Sequence, residues 1–430
     1  MKPETSRFKT LFQQIRKSEF SKNSIALLGG TVFSQLIPIG LSPVLTRLFS
    51  PTEFGVLALF VSISKIISVF ITGRYEPAIV LPKEDRDGVN LMGAAFFLSF
   101  GFLIALTLVS IFFQAPIADL LNAPGIESWL IWIPLTAFLM AGIQILSQWL
   151  LRVKRFKALS SGKITQAVGT GAVQVSAFSG ALVIGNITGQ IVAFFYYLKV
   201  SYKSVRPLVT DLSKEQMWKN MKHYKNFPLV TSLHRFFDLL QSNVLISMIS
   251  SLFSAAVLGF YSLTTRTLLA PAALIGSAVG NVFYQKAAQY HQNQVKIVPL
   301  AQKVVAALFG IGLAGFSILF FTADFIFETV FGAEWVECAL YTKILMPWLF
   351  LNFISAPVSG LVNILGAQRL FFLISALGNT VAVASFVWVG WYTEEIELSL
   401  MVFSGLMSIY MLVYLLAIFG SLKQFDSTCK

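Results

Sequence analysis

Lys65, Arg235, Arg266 and Lys343 stand inside long apolar runs of a chain that otherwise keeps nearly all its Lys and Arg in alternate polar stretches. A charge left in hydrocarbon costs about 2.5 to 3.5 kcal/mol on insertion scales, so buried cations line a wet cavity or face a counter-ion. Lys binds phosphate as a point charge and Arg as a planar fork, so the chemistry implied is capture of something anionic. Asp238 follows His234 and Arg235 on one helical face. Two readings of that cluster stand: a cavity site, or a self-neutralised pair that lets the helix tolerate the bilayer. Lys343 lies near the outer end of its run and reads either as a cavity cation or as one that snorkels outward. Arg47, Arg74 and Glu76 stand at span ends and form the candidate set for gating or the cytoplasmic mouth, with solvated helix-end charge as the other reading.

Catalytic chemistry lacks comparable signals. His223, His234 and His291 make no metal-ligand spacing with each other or with Cys338 and Cys429, and no phosphate-cradling GxxxxGK[ST] is present. No metal or cofactor is expected, the chain does not read as an enzyme, and a proton or sodium gradient is the natural driving force.

The elements that must position these residues follow from composition. Of 430 residues 56% are hydrophobic and 12% charged, 40 are Phe, and mean hydropathy is +0.74, which excludes an ordinary water-soluble domain. Apolar stretches long enough to cross a hydrocarbon core about 30 Å thick recur throughout. They predict an all-α polytopic membrane protein with twelve transmembrane helices, at 24–46, 54–74, 89–113, 129–151, 162–184, 186–201, 228–250, 255–282, 298–321, 338–363, 370–391 and 398–420. Only Gly185 and Asn186 separate the fifth from the sixth, so a tight turn is expected there. Lys and Arg gather in the termini and alternate loops, while the opposite loops offer Arg47 alone, so both N and C termini are expected in the cytoplasm. The net charge of +12 is then a topology signal and not a sign of nucleic-acid binding.

The chain also repeats itself. LFSPTEFG at 48–55 returns as LFSAAVLG at 252–259, an offset of 204 residues that is close to half the length and falls between the first two spans of each six-span set. Two parallel six-helix bundles, related by a pseudo-two-fold axis along the membrane normal, are expected, with the cavity between them. The offset carries Lys65 to position 269, within a turn of Arg266, so each bundle supplies one cation. The expected divisions are a cytoplasmic or interfacial N-terminal segment at 1–23, a first bundle at 24–201, a cytoplasmic connector at 202–227, a second bundle at 228–421 and a tail at 422–430. Phe8, Leu11, Phe12 and Ile15 repeat at helical spacing among basic residues, which fits either a helix on the anionic inner leaflet or a frayed tail. In the connector, Ser213 and Gln216 have capping-box spacing ahead of Met217, Met221 and Tyr224, which predicts an interfacial helix. Pro38, Pro43, Pro271, Pro347 and Pro357 fall within spans, where each removes a backbone hydrogen bond and predicts a kink.

Three segments, VLTRLFSPTEFGVLALF at 44–60, RYEPAIVLPKED at 74–85 and GFYSLTTRTLLAPAALIGSAVGNVFYQKAA at 259–288, resemble the bacterial polysaccharide repeat-unit flippases, O-antigen type, of the multidrug/oligosaccharidyl-lipid/polysaccharide exporter superfamily. The resemblance implies movement of an undecaprenyl-pyrophosphate-linked oligosaccharide from the cytoplasmic to the periplasmic leaflet of the bacterial inner membrane, by alternating access through a cation-lined lumen. It also implies surface-polysaccharide or lipopolysaccharide biosynthesis, contact with membrane lipids, and a polysaccharide polymerase and chain-length regulator as partners. Arg266 lies inside a matched segment; Lys65, Arg235 and Lys343 rest on charge and depth alone. Two other functions stay open. A multidrug or cation antiporter of the superfamily would share the architecture but would be expected to bury carboxylates, and Asp238 is the lone deeply placed acid of the sequence reading. A membrane-embedded glycan ligase or polymerase would normally carry its reactive groups on a sizeable outer loop, and the predicted outer loops are short.

Overall fold

The computed structural model describes residues 19–225, 227–228 and 243–429. The described secondary structure is helical: α1 (Glu19–Leu48), α2 (Pro51–Phe70), α3 (Asp85–Leu120), α4 (Ile133–Arg152), α5 (Phe156–Gln174), α6 (Ala181–Val205), α7 (Lys214–His223), α8 (Asn243–Leu252), α9 (Ala255–Gln292), α10 (Val298–Ile326), α11 (Glu337–Ser355), α12 (Gln368–Thr393) and α13 (Ile396–Thr428). Among the described residues nine helical segments are long and apolar enough to cross a membrane. Both the N-terminal amphipathic stretch and the cluster His234, Arg235 and Asp238 lie outside the described residues.

One predicted boundary moves. The break between the fifth and sixth spans falls at 175–180, and Gly185 and Asn186 belong to the first turns of α6. Gly180 takes the left-handed conformation at φ +82° and starts that helix. Gly185 is needed for close packing and not for a turn: a Cβ there would stand 2.8 Å from the Thr170 carbonyl oxygen of α5. The prolines also behave unequally. Helices run on through Pro38, Pro43, Pro271 and Pro347, whereas α11 gives way at 356–358 to a short 3₁₀ turn containing Pro357. α3 is broken at the expected end of the third span, with Phe113 non-helical at φ −121°, ψ 21°, three residues before Pro116.

The chain forms two compact units. One comprises Met1–Leu45, Phe60–Ile117 and Gly125–Asp238, the other Thr46–Leu59, Ala118–Pro124 and Leu239–Lys430. In the first unit a core of Ile79, Leu91, Trp149, Leu150 and Tyr197 is fully buried, and Trp149 donates to Ser204 Oγ at 2.9 Å. The connector helix α7 docks on this core. Ser213 caps it, accepting from Gln216 N at 3.0 Å, but the capping box is only half made, because the Ser213 N–H donates to Asn90 and not back to the Gln216 side chain, whose amide donates to Asp87 at 2.7 Å. Asn90 accepts from Ser213 N at 3.1 Å, Asn220 donates to Asp87 at 3.2 Å, and Met221 and Tyr224 pack on the core. The connector is therefore a helix held by α3.

In the second unit the two copies of the repeated motif meet. Ser50 and Glu53 form a capping box at the start of α2, with both Ser50 donors on the Glu53 carboxylate at 3.0 Å. Ser254, 204 residues on, caps α9 by accepting from Val257 N at 3.2 Å. Gly55 faces the Ala255 carbonyl so closely that a Cβ would lie 1.8 Å from its oxygen, and Gly259 faces the Pro51 carbonyl, where the same distance is 1.9 Å. The offset that relates the sequences also relates these contacts, since 51 corresponds to 255 and 55 to 259. Trp335 closes the group, donating to the Thr46 carbonyl at 2.9 Å with its ring edge-on to Phe54.

Candidate functional site

The elbow between α2 and α3 gathers a set of buried polar contacts in the first unit. Gly73 at φ +59° and Arg74 at φ +56° are consecutive left-handed residues that reverse the chain after α2. The reversal places Arg74 Nη1 2.9 Å from Glu76, whose carboxylate also accepts from Thr72 Oγ1 at 2.6 Å. The Glu76 side chain is 2% exposed and that of Arg74 14%. A pair so deeply withdrawn from water is tolerated only when both partners are hydrogen-bonded, and Glu76 is. Arg152, at the end of α4, donates to the carbonyls of Ile79 at 3.0 Å and Pro82 at 2.8 Å and to Asp85 at 2.8 Å. Burial pushes the Tyr75 phenol up, so it stays protonated and donates to the Met221 carbonyl at 3.3 Å. The sequence reading found Arg74 and Glu76 but ended the fourth span at 151, which leaves Arg152 just outside it. Its partners lie about seventy residues away, and no local spacing could have signalled them.

The remaining candidates are distributed over both units. Lys65 is an exposed residue of α2 in the first unit, with Ser68 Oγ donating to its carbonyl at 2.8 Å. Arg266 is a half-buried residue of α9 in the second. Lys343 of α11 is ion-paired to Asp324 of α10 and stands 6.0 Å from the Phe320 ring centroid. Arg47 donates to the Thr329 carbonyl at 3.0 Å, so it ties the end of α1 to the segment after α10.

One cleft was not foreseen from the sequence. It lies in the second unit between α9 and the interrupted end of α11, encloses about 440 Å³, and is lined among others by Gly276, Ser277, Asn281, Tyr284, Asn352 and Pro357. Among the described residues the lining holds no carboxylate, ammonium or guanidinium. The polar signal was present in the sequence as two Asn in apolar runs, but their convergence depends on the break of α11 at Pro357.

Residues 44–340 match a family of polysaccharide biosynthesis proteins. The chain belongs to that family. No curated protein matches it by sequence. Its fold is similar to that of a lipid II flippase, MurJ, in an inward closed conformation, with 12% identity over 94% of this chain and 90% of that one and a TM-score of 0.75. An inward-facing multidrug resistance MATE family transporter of the MOP superfamily gives 14% identity over 94% and 96% of the two chains and a TM-score of 0.59. The MATE multidrug transporter DinF-BH gives 14% identity over 93% and 94% of the two chains and a TM-score of 0.60. At these identities the likeness is one of fold. The family member is thus a multi-pass helical membrane protein with the fold shared by a lipid-carrier flippase and drug transporters.

Proposed function

We propose that this protein flips undecaprenyl-pyrophosphate-linked oligosaccharide repeat units from the cytoplasmic to the periplasmic leaflet of the bacterial inner membrane, for O-antigen or another surface polysaccharide. The observation that carries the reading is membership of a polysaccharide biosynthesis family on a fold that a lipid II flippase also has. The chain crosses the membrane twelve times as two bundles related by a pseudo-two-fold axis, a reading supported by the twin caps and reciprocal glycines at 50–55 and 254–259. Both termini lie in the cytoplasm, where the basic loops collect. Pyrophosphate and sugar hydroxyls cannot cross hydrocarbon unaided, whereas Lys65 and Arg266, one from each bundle, hold the phosphates in a hydrated lumen while the lipid tail stays in the bilayer. Arg235 with Asp238 belongs to the same lumen. Lys343, answered by Asp324, contributes a weaker field there. Arg74 and Glu76 stiffen the cytoplasmic mouth, Arg47 acts at the other end, and a proton or sodium gradient drives the cycle. The glycan's polymerase and chain-length regulator are its partners.

A leaflet assay in proteoliposomes with lipid-linked oligosaccharide tests this. Lys65→Ala and Arg266→Ala should each slow translocation at least tenfold at unchanged expression, about the value of one charge-assisted contact. Unchanged rates remove both residues from the mechanism. Transport of a cationic dye in place of the glycan would favour the antiporter, against which stands the state of Glu76: this buried carboxylate is already held by Arg74 and Thr72.

A further inference from the structure

We infer that the cleft between α9 and the broken end of α11 is a sugar-ring subsite for the cargo's glycan; the inference rests on the flippase reading and assigns the part of the cargo that the cations do not hold. Four features lead there. At about 440 Å³ the cleft falls within the usual range of small-molecule sites, roughly 300 to 1,000 Å³. Its polar groups, Ser277, Asn281, Tyr284 and Asn352, are all uncharged, which suits neutral hydroxyls and suits neither a phosphate nor a cationic drug. The side-chain amides of Asn281 and Asn352 make no hydrogen bond among the described residues, so their donors and acceptors are uncommitted. The apolar remainder, including Phe353 and Pro357, offers surfaces for the C–H faces of a ring.

The break in α11 is consistent with this use. Irregular backbone within a membrane protein is tolerated where it lines a cavity, and Ala356, Pro357 and Gly360 all do so. Glycines keep the space open. A Cβ on Gly276 would come no nearer than 3.7 Å to Pro357, and one on Gly280 would reach 3.2 Å. The cleft also shares a helical face with Arg266, since 266, 273, 277, 280 and 284 follow three-, four- and seven-residue spacing along α9. Ten residues separate Arg266 from Gly276, on the order of 15 Å along the axis, a distance that an oligosaccharide spans and a single sugar does not. The cleft lies toward the end of α9 that carries Lys286, which the proposed orientation of the basic loops puts on the cytoplasmic side, where cargo is loaded. An isoprenyl chain is the competing occupant, but it would leave both amides unsatisfied.

The test compares two probes on the intact protein in nanodiscs: undecaprenyl pyrophosphate without sugar, and lipid-linked oligosaccharide isolated from the membranes of the producing cell. Asn281→Ala and Asn352→Ala should each weaken binding of the oligosaccharide probe about fivefold, the worth of one neutral hydrogen bond, and leave sugar-free binding unchanged. Ala273→Leu, which fills the cleft without altering a hydrogen-bonding group, should do the same, and unchanged thermal midpoints establish that the variants fold. Equal losses with both probes would assign the cleft to the lipid, and no loss would make it structural; either overturns the inference and leaves the flippase reading standing. A parent protein that binds neither probe overturns both.

Discussion

At the scale of single residues, the elbow carries the sharpest energetic expectation. Glu76→Ala strands a guanidinium that is 14% exposed, and breaking such a pair from one side costs about 3 to 5 kcal/mol. Replacing both partners, as in Arg74→Met with Glu76→Leu, should recover most of that loss. Thermal unfolding in detergent checks this, and equal destabilisation by the single and double variants would mean that the shape of the elbow matters and its charges do not. Sequence reasoning reached Arg74, Glu76, Lys65 and Arg266 because a charge beside or within an apolar run is conspicuous in one dimension. It missed Arg152 and Thr72 because their partners are brought together by the fold, and Asn281 and Asn352 because the cleft they line depends on the break of α11.

Among the elements, the glycine contacts separate packing from propensity. Gly55→Ala and Gly259→Ala each force a methyl onto a carbonyl oxygen, and helix positions at such contact should lose about 1 to 3 kcal/mol or more of stability. Gly40→Ala in α1 meets nothing within 4 Å and removes a flexible residue from a helix interior, so it should be neutral or stabilising by up to about 1 kcal/mol. Parallel melting curves of the three variants test the contrast. Asp426 of α13 accepts from Ile297 N at 2.8 Å and Val298 N at 2.9 Å, which caps α10, and Asp426→Ala should cost about 1 kcal/mol by the same measurement. The nine long apolar helices found among the described residues were legible because hydropathy is averaged over some twenty residues. The turn before α6 was not, because Gly185 signals either a reversal or close helix packing and the sequence alone does not separate them.

For the whole molecule, topology can be read from the two native cysteines. Cys338 is buried in α11 and donates to the Phe260 carbonyl, whereas Cys429 follows α13 and is partly exposed. With the C terminus in the cytoplasm, a membrane-impermeant maleimide should label Cys429 only after the membrane is permeabilised and leave Cys338 unlabelled throughout; labelling of Cys429 in intact spheroplasts would reverse the proposed orientation. The proposed orientation rests on the alternation of basic loops, and the proposed duplication on the motif at 48–55. The assignment of 46–59 and 118–124 to the second unit left no trace in the sequence, since compactness depends on contacts between distant segments.

The facing glycines at 55 and 259 make a seam with no layer of side chains to yield, so nothing there can repack to absorb an added atom. Well-packed surfaces switch between arrangements and do not stretch. A wedge as small as one methyl group would therefore have to force backbone away from backbone along the seam.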